Sequence, residues 1–445
     1  MSTGRLLPVP NPAEHHPGFA RSASRGILSV LTLVVLLSGS WQQAMADSPE
    51  TRNQQPFAID ADYPGGNIIL ERIEGDTVYL RQDLRDTEGW WFYWNFRVRG
   101  VAGRTLRFVF TNKTPIGVRG PAVSTDAGRT WAWLGTEKVK DASFSYVFPP
   151  DIREVRFCFA IPYQQSDLQR FLARHADCTN LTARQLCRTR HDRGVERIHV
   201  GRLEGRVRFR VLLTARHHAC ESIASYALEG LLDAVLAETD DGLWFRRNVE
   251  IMAVPFMDKD GVEEGDQGKN RRPHDHYCDY IEKGIYPSVT ALRTFVPDWS
   301  KGKLRVALDL HCPYIKGSCI YLVGNHDERI WAEQQRFSII LEDVRTGPLP
   351  YRPDDNLPFG RAWNTHANYG SLKTCSQWAS ELDGIKLAAT IEIPYADVRG
   401  NAVTAETARA FGADLARALR AYLQLLEPLR LEPMSGSDAP SHRRR

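Results

Sequence analysis

The stretch Val211-Leu212-Leu213-Thr214-Ala215 reads as a buried strand, and the chain leaves it through Arg216-His217-His218-Ala219-Cys220-Glu221. Beyond the turn, Ile223, Ala224, Ala227, Leu228, Leu231, Leu232, Val235 and Leu236 recur at helical spacing. A strand feeding a helix is a unit of α/β architecture, and open sheets of that kind place ligands at this seam. His218 and Glu221 stand there three residues apart, a spacing that can offer a nitrogen and a carboxylate to one metal ion. Zinc takes such donors, and a catalytic site supplies three of them and leaves a fourth position to water. Two fixed residues also recur by chance, and the plain alternative is a polar helix start with Glu221 in the first turn near the helix dipole.

The rest of the chain supplies what a three-donor site needs. Arg305 to Leu310 reads as a second strand, and it ends in His311. Ala388-Ala389-Thr390-Ile391-Glu392-Ile393-Pro394-Tyr395 is a short apolar strand interrupted by one acid. A carboxylate in such a run loses solvation at a cost, so Glu392 is a candidate general base. Between them, Asp258-Lys259-Asp260-Gly261-Val262 and Gly265-Asp266-Gln267-Gly268-Lys269-Asn270-Arg271-Arg272-Pro273 read as a polar loop. It can bring an arginine to the metal, or simply lie solvated on the surface.

In this order and context, His218 and Glu221, Asp258-x-Asp260-Gly261-Val262, Asn270-Arg271, Asp309-Leu310-His311 and Ile391-Glu392 resemble the zinc metallocarboxypeptidases, the funnelins. The likeness is greatest to their cytosolic-carboxypeptidase-like branch, which carries an N-terminal β domain. It covers roughly residues 195 to 425. The resemblance implies one Zn2+ per chain on His218, Glu221 and His311, with His217 outside the ligand set. It implies a zinc ion that polarises the scissile carbonyl and acidifies water, and Glu392 as general base and then acid. Arg271 matches the arginine that stabilises the developing oxyanion, with Arg272 as the second choice.

One position departs from the family. Where an Asn-Arg pair clamps the substrate's terminal carboxylate, an interaction arginine makes bidentately, this chain has Tyr277 and Cys278. Three accounts stay open: another cation (Arg272, Lys269 or His276) holds the carboxylate, the substrate has no terminal carboxylate, or the protein is a weak or inactive relative that binds peptides. The leading expectation is a zinc metallopeptidase cutting a peptide amide bond near a C-terminus. The alternatives are a catalytically altered peptide or cell-wall binding relative, and an amidase or deacylase acting on a non-peptide amide. Tyr351 and Tyr369 lie upstream of Glu392, and nothing in the sequence gives either a place near the scissile bond.

The 445 residues suffice for two or three domains. Arg5, Arg21 and Arg25 against Glu14 give the first 46 residues a charge of +2, so the remainder holds +1 of the net +3 and makes no case for nucleic acid. The apolar run from Ile27 to Leu37, preceded by arginines and followed by Ala44-Met45-Ala46, predicts a signal peptide over 1–46, cut before Asp47. Secretion or a periplasmic location follows, with no stable membrane span after cleavage because the run is short. The long stretch before it leaves an uncleaved anchor as the other outcome. Export permits disulfides among the eight cysteines, with Cys178 and Cys187 or Cys312 and Cys319 near enough in sequence to consider. Cys220, Cys278 and Cys312 cluster around the proposed site, where a thiolate ligand is conceivable.

The fold expected is α/β, a mixed-sheet zinc carboxypeptidase-like catalytic domain over 195–429, preceded by an all-β sandwich domain over 47–162. A linker with a short helix is expected over 163–194 and a disordered tail over 430–445. Repeated strand signals between about 64 and 162, rich in β-branched and aromatic residues, carry the sandwich. Ser124-x-Asp126-x-Gly128-x-Thr130-Trp131 resembles an Asp-box hairpin and reads as a structural turn. Trp90-Trp91-Phe92-Tyr93-Trp94 fits core or inter-domain packing better than carbohydrate binding. Ala405 to Leu429 closes the domain as an amphipathic helix, covering the sheet.

Overall fold

The structure, a computed structural model, describes residues 57–85 and 87–426. The expected signal peptide and C-terminal tail lie outside them. Ten short strands come first: β1 (Ala58–Asp60), β2 (Ile69–Glu74), β3 (Thr77–Arg81), β4 (Asn95–Arg99), β5 (Thr105–Phe110), β6 (Ala122–Ser124), β7 (Ala132–Trp133), β8 (Val139–Lys140), β9 (Ser143–Val147) and β10 (Glu154–Cys158). They form two five-stranded sheets, in the orders β1-β4-β10-β6-β7 and β2-β3-β5-β9-β8. Phe96 and Phe157 from one sheet meet Phe108 and Phe144 from the other at ring distances of 5.2 to 5.4 Å, an aromatic core between two layers.

The Asp-box turn is local, as its residues suggest. The Asp126 carboxylate accepts from the backbone N–H groups of Arg129 and Thr130 and from the Thr130 hydroxyl, while Gly128 N donates to Ser124 Oγ. The Trp90–Trp94 run turns inward. Phe92 is fully buried and packs edge-on against Tyr314 and Tyr395, so it joins the β layers to the rest of the protein.

The segment read as a short helix and linker contains the helix and, in place of the linker, a strand. It holds α1 (Gln165–Arg174) and β11 (Leu181–Arg188), and β11 is the edge strand of the main sheet. Its side chains are mostly exposed, which is why a search for apolar runs passes over it. Next come β12 (Gly194–Gly201), β13 (Phe209–Ala215), α2 (Ser222–Leu236), α3 (Asp240–Asn248), β14 (Val249–Val254), α4 (Lys259–Glu264), α5 (Pro287–Ser300), β15 (Leu304–His311), β16 (Tyr321–Val323), α6 (Glu328–Val344), α7 (His366–Tyr369), α8 (Cys375–Ser380), β17 (Leu387–Glu392) and α9 (Ala405–Leu425). Helix α4 occupies part of the stretch read as a loop, with the Asp258 side chain capping it by accepting from Gly261 N.

The seven-stranded sheet runs β11-β12-β14-β13-β15-β17-β16. Its four central strands are parallel and the outer ones antiparallel, the mixed sheet expected. Strands β14 and β17 are buried at every position, which accounts for their near-continuous apolar sequence. Register places Ala215 beside Leu310 and His311 beside Glu392, so β13, β15 and β17 deliver their C-terminal ends side by side. Among the described residues no helix is long and apolar enough to cross a membrane.

Candidate metal centre

The turn after β13 is set by Arg216, whose φ of 61° is left-handed. A residue with a Cβ is disfavoured there by roughly 1–2 kcal/mol, and a buried side chain holds it in place. The guanidinium donates to the carbonyl oxygens of Ala219 and Tyr163 and to Ser225 Oγ, closing the loop over itself. His217 and His218 therefore leave the sheet in different directions.

His218, Glu221 and His311 meet, with one ligand atom from each lying within 4.8 Å of the others. His218 Nδ1 is 2.9 Å from Glu221 Oε1, and His311 Nδ1 is 2.9 Å from Glu221 Oε2. The far nitrogens are held by other carboxylates. His311 Nε2 lies 2.8 Å from Asp309 Oδ2, and His218 Nε2 lies 3.4 Å from Asp275 Oδ2. Partners of this kind fix ring orientation and tautomer, leaving the inner nitrogen's lone pair for a metal. Asp275 carried no recognisable signal in the sequence.

The donor set fits a cation. Glu221 is fully buried, and its Oε2 accepts no hydrogen bond despite its closeness to His311. Two nitrogens and a carboxylate with a remaining open position are the donors of a catalytic zinc site. Burial alone would raise the Glu221 carboxyl. Lys269, His311 and His218 outweigh it and hold the group well below the ordinary carboxylate range. His217 stays outside the set, with Nδ1 at 2.8 Å from Asp309 Oδ1 and Nε2 at 2.8 Å from the Tyr280 hydroxyl.

Glu392, at the end of β17, stands beside His311 in the sheet. It is buried, and its Oε2 has no hydrogen-bond partner. Burial raises its carboxyl above the usual value, with Lys269 opposing and Glu221 reinforcing the shift. The thiols close by are poor ligands as they stand. Burial pushes Cys220 up to about 12 and raises Cys278 and Cys312 well above the ordinary thiol value. None of the eight cysteines is paired, so neither disulfide considered from spacing is formed.

Arg271, expected at the reacting oxygen, is paired with two acids. Arg271 Nη1 and Nη2 each lie 2.5 Å from a carboxylate oxygen, of Asp258 and Asp266 respectively. Two buried acids require a nearby positive charge, and Arg271 meets that requirement. Gly261 lies beneath the pair, where a Cβ would come within 2.5 Å of Asp258 Oδ2 and 2.7 Å of Arg271 Nη2. Arg272, the second choice, is exposed and pairs with Glu88. His276 stacks on Tyr286 at 3.5 Å between ring centres. Lys269 is the one of these cations that reaches Glu221, with Nζ 2.6 Å from Oε1.

Tyr277 and Cys278 lie where the clamp pair was expected. The Tyr277 ring stands 4.7 Å from His311 and 5.7 Å from His218, and its hydroxyl is 3.2 Å from Thr390 Oγ1. Tyr369, left unplaced by the sequence, is buried in α7 with its hydroxyl 3.1 Å from Asn364 Oδ1. With Tyr280 it lines a cavity of about 560 Å3 whose walls include Arg293, His326, Lys373 and Trp378. Tyr280 thus joins this cavity to His217.

No protein-family model matches the chain. It is 25% identical over 214 residues to an uncharacterized protein of Zymomonas mobilis, covering 46% of this chain and 55% of that one. It is 22% identical over 322 residues to cytosolic carboxypeptidase 6 of Caenorhabditis elegans, covering 64% and 68%. The chain thus spans little more than half the length of the first of these relatives. A solved metallo-carboxypeptidase from Pseudomonas aeruginosa superposes with a TM-score of 0.68 over 83% of this chain and 100% of that one, at 19% identity, a likeness of fold. The chain is thus similar in sequence to cytosolic carboxypeptidases and in fold to a solved metallo-carboxypeptidase.

Proposed function

We propose that this protein is a zinc-dependent peptidase that hydrolyses a peptide amide bond, with His218, Glu221 and His311 holding one zinc ion. The observation that carries the reading is the meeting of those three donors at the C-terminal ends of β13 and β15, with the Glu392 carboxylate delivered beside them by β17. Zinc held there supplies Lewis-acid polarisation of the scissile carbonyl and makes water a better nucleophile. Glu392 removes the proton from the attacking water and hands it to the leaving amine. Its carboxylate is buried at the end of β17 with Oε2 left without a hydrogen-bond partner, so one oxygen remains to take that proton. Asp309 and Asp275 hold the two imidazoles in the tautomer that binding requires.

Cleavage near a C-terminus belongs to the same proposal. Of the three cations considered for the substrate carboxylate, Lys269 alone reaches Glu221, and the uncharged Tyr277 and Cys278 leave that end without a bidentate clamp. The test is turnover by purified, zinc-loaded protein on matched peptides with free and amidated C-termini. Hydrolysis that a chelator abolishes and added zinc restores is expected. Binding of the peptides with no turnover would instead favour a peptide-binding relative, and turnover confined to acylated amino acids an amidase. We also propose export to the periplasm or medium, supported by the run from Ile27 to Ala46. A mature N-terminus found upstream of Ile27 by mass spectrometry would refute cleavage.

A further inference from the structure

The two oxygens of Glu221 have different surroundings. Oε1 lies 2.6 Å from the Lys269 ammonium and 2.9 Å from His218 Nδ1, whereas Oε2 has no ammonium beside it and lies 2.9 Å from His311 Nδ1. Lys269 is itself mostly buried, and it also donates to the Cys312 carbonyl at 2.9 Å. Two of its three donor directions are therefore fixed on the floor of the site.

The backbone that carries Lys269 is fixed as firmly. Gly268 has a φ of 79°, and a Cβ on it would come within 2.3 Å of Ala219 N, so the loop lies directly on the turn that bears His218 and Glu221. Cys220 N donates to the Gln267 carbonyl, and the Gln267 side-chain oxygen accepts from Phe92 N and Tyr93 N in the β layers. Asn270 continues the attachment: its side-chain amide donates to the Glu88 carbonyl at 2.8 Å, and Glu88 N donates to the Asn270 carbonyl at 3.1 Å. Lys269 cannot leave Glu221 by a simple swing of a surface loop.

We propose that Lys269 is a positioning residue of the metal centre, one that occupies Glu221 Oε1 so that the carboxylate offers the metal a single oxygen and binds it less tightly than two histidines and a free carboxylate would. This rests on the metal reading above. A carboxylate can bind through one oxygen or through both, and an ammonium on one oxygen favours the first. The ammonium also repels the dication at short range in a poorly solvated site. Outer partners that raise ligand basicity strengthen metal binding, and a cation on the ligand acts in the opposite sense. The benefit is a coordination position that stays open.

The test compares wild type with Lys269→Met, which keeps the length of the side chain and removes the charge, and with Lys269→Arg, which keeps the charge. Zinc affinity is measured by competition with a chromogenic chelator, and the visible spectrum is recorded for the cobalt-substituted proteins. Lys269→Met is expected to bind zinc at least tenfold more tightly and to show weaker cobalt absorption, as a carboxylate freed to bind through both oxygens raises the coordination number. Lys269→Arg is expected to return both readings toward wild type. A Lys269→Met variant folded by circular dichroism, with unchanged or weaker zinc affinity and a superimposable cobalt spectrum, overturns the role of Lys269 and leaves the metal reading standing. Wild type that takes up neither metal overturns the metal reading itself.

Discussion

Asp309 Oδ2 lies 2.8 Å from His311 Nε2, on the side of the ring turned away from Glu221. The same carboxylate reaches His217 with its other oxygen and accepts from the Thr214 hydroxyl, so it is anchored on two strands. Asp309→Asn is therefore expected to weaken zinc binding about 10- to 100-fold while leaving the fold intact. His311→Ala is expected to abolish zinc uptake at stoichiometric metal. Equal zinc affinity in wild type and Asp309→Asn, measured by chelator competition, would show that Asp309 does not orient the ligand.

Glu392 offers a separate readout, because it stands beside the donors without being one of them. Glu392→Gln is expected to retain a full equivalent of zinc by elemental analysis and to lose about 10²- to 10⁴-fold in kcat. Substantial remaining turnover would remove it from the role of base.

Arg271 is expected to matter for stability. Arg271→Met leaves Asp258 buried with its main charge partner gone, while Arg85 still pairs with Asp266. Breaking a buried pair costs about 3–5 kcal/mol, and the lower end is expected here because Asp266 keeps a partner. Urea unfolding of the metal-free protein checks this. An unchanged midpoint with lost turnover would instead favour the oxyanion role that the resemblance implies for Arg271.

Acid stability should depend on Glu250, away from the metal centre. Burial would raise its carboxyl, but hydrogen bonds with His199, Trp299 and Arg210 outweigh that and hold it at about 2. A carboxyl depressed on folding stabilises the native state above its ordinary value of 4.5 and loses that contribution as pH falls toward about 2. Glu250→Gln is expected to lower the urea midpoint at pH 6 and to flatten its decline between pH 4.5 and 2. Parallel curves for variant and wild type across that window would rule out this linkage.

The donors were legible because β13, β15 and β17 are apolar enough to be recognised as strands and because each carries its polar group at its end. His218, Glu221, His311 and Glu392 all profit from this. Strand β11 was not legible: at a sheet edge its side chains face solvent, and polar residues there resemble a linker. The different placements of Lys269, Arg271 and Arg272 were equally hidden. Consecutive cations point in directions set by backbone twist, here the left-handed residues Gly268 and Asn270, and no spacing rule reports that. Asp275 was missed for a related reason, since its partner His218 lies 57 positions earlier and the pairing exists only after the loop has closed.

The β layers grip the loop that bears Lys269 through backbone groups and two side chains: Gly65 N donates to the Glu263 carbonyl, Phe92 N and Tyr93 N donate to Gln267, Glu88 N donates to Asn270, and the Asn67 amide and Arg85 guanidinium donate to the Gly265 and Glu264 carbonyls. Such a grip asks for a main-chain path and places little demand on which side chains lie along it. Away from Asn67 and Arg85, amino-acid changes in the β layers can accumulate without disturbing the chemistry, whereas a one-residue deletion between 85 and 93 would pull the loop out of register. The tolerance of this half of the protein is thus to substitution and not to changes in length.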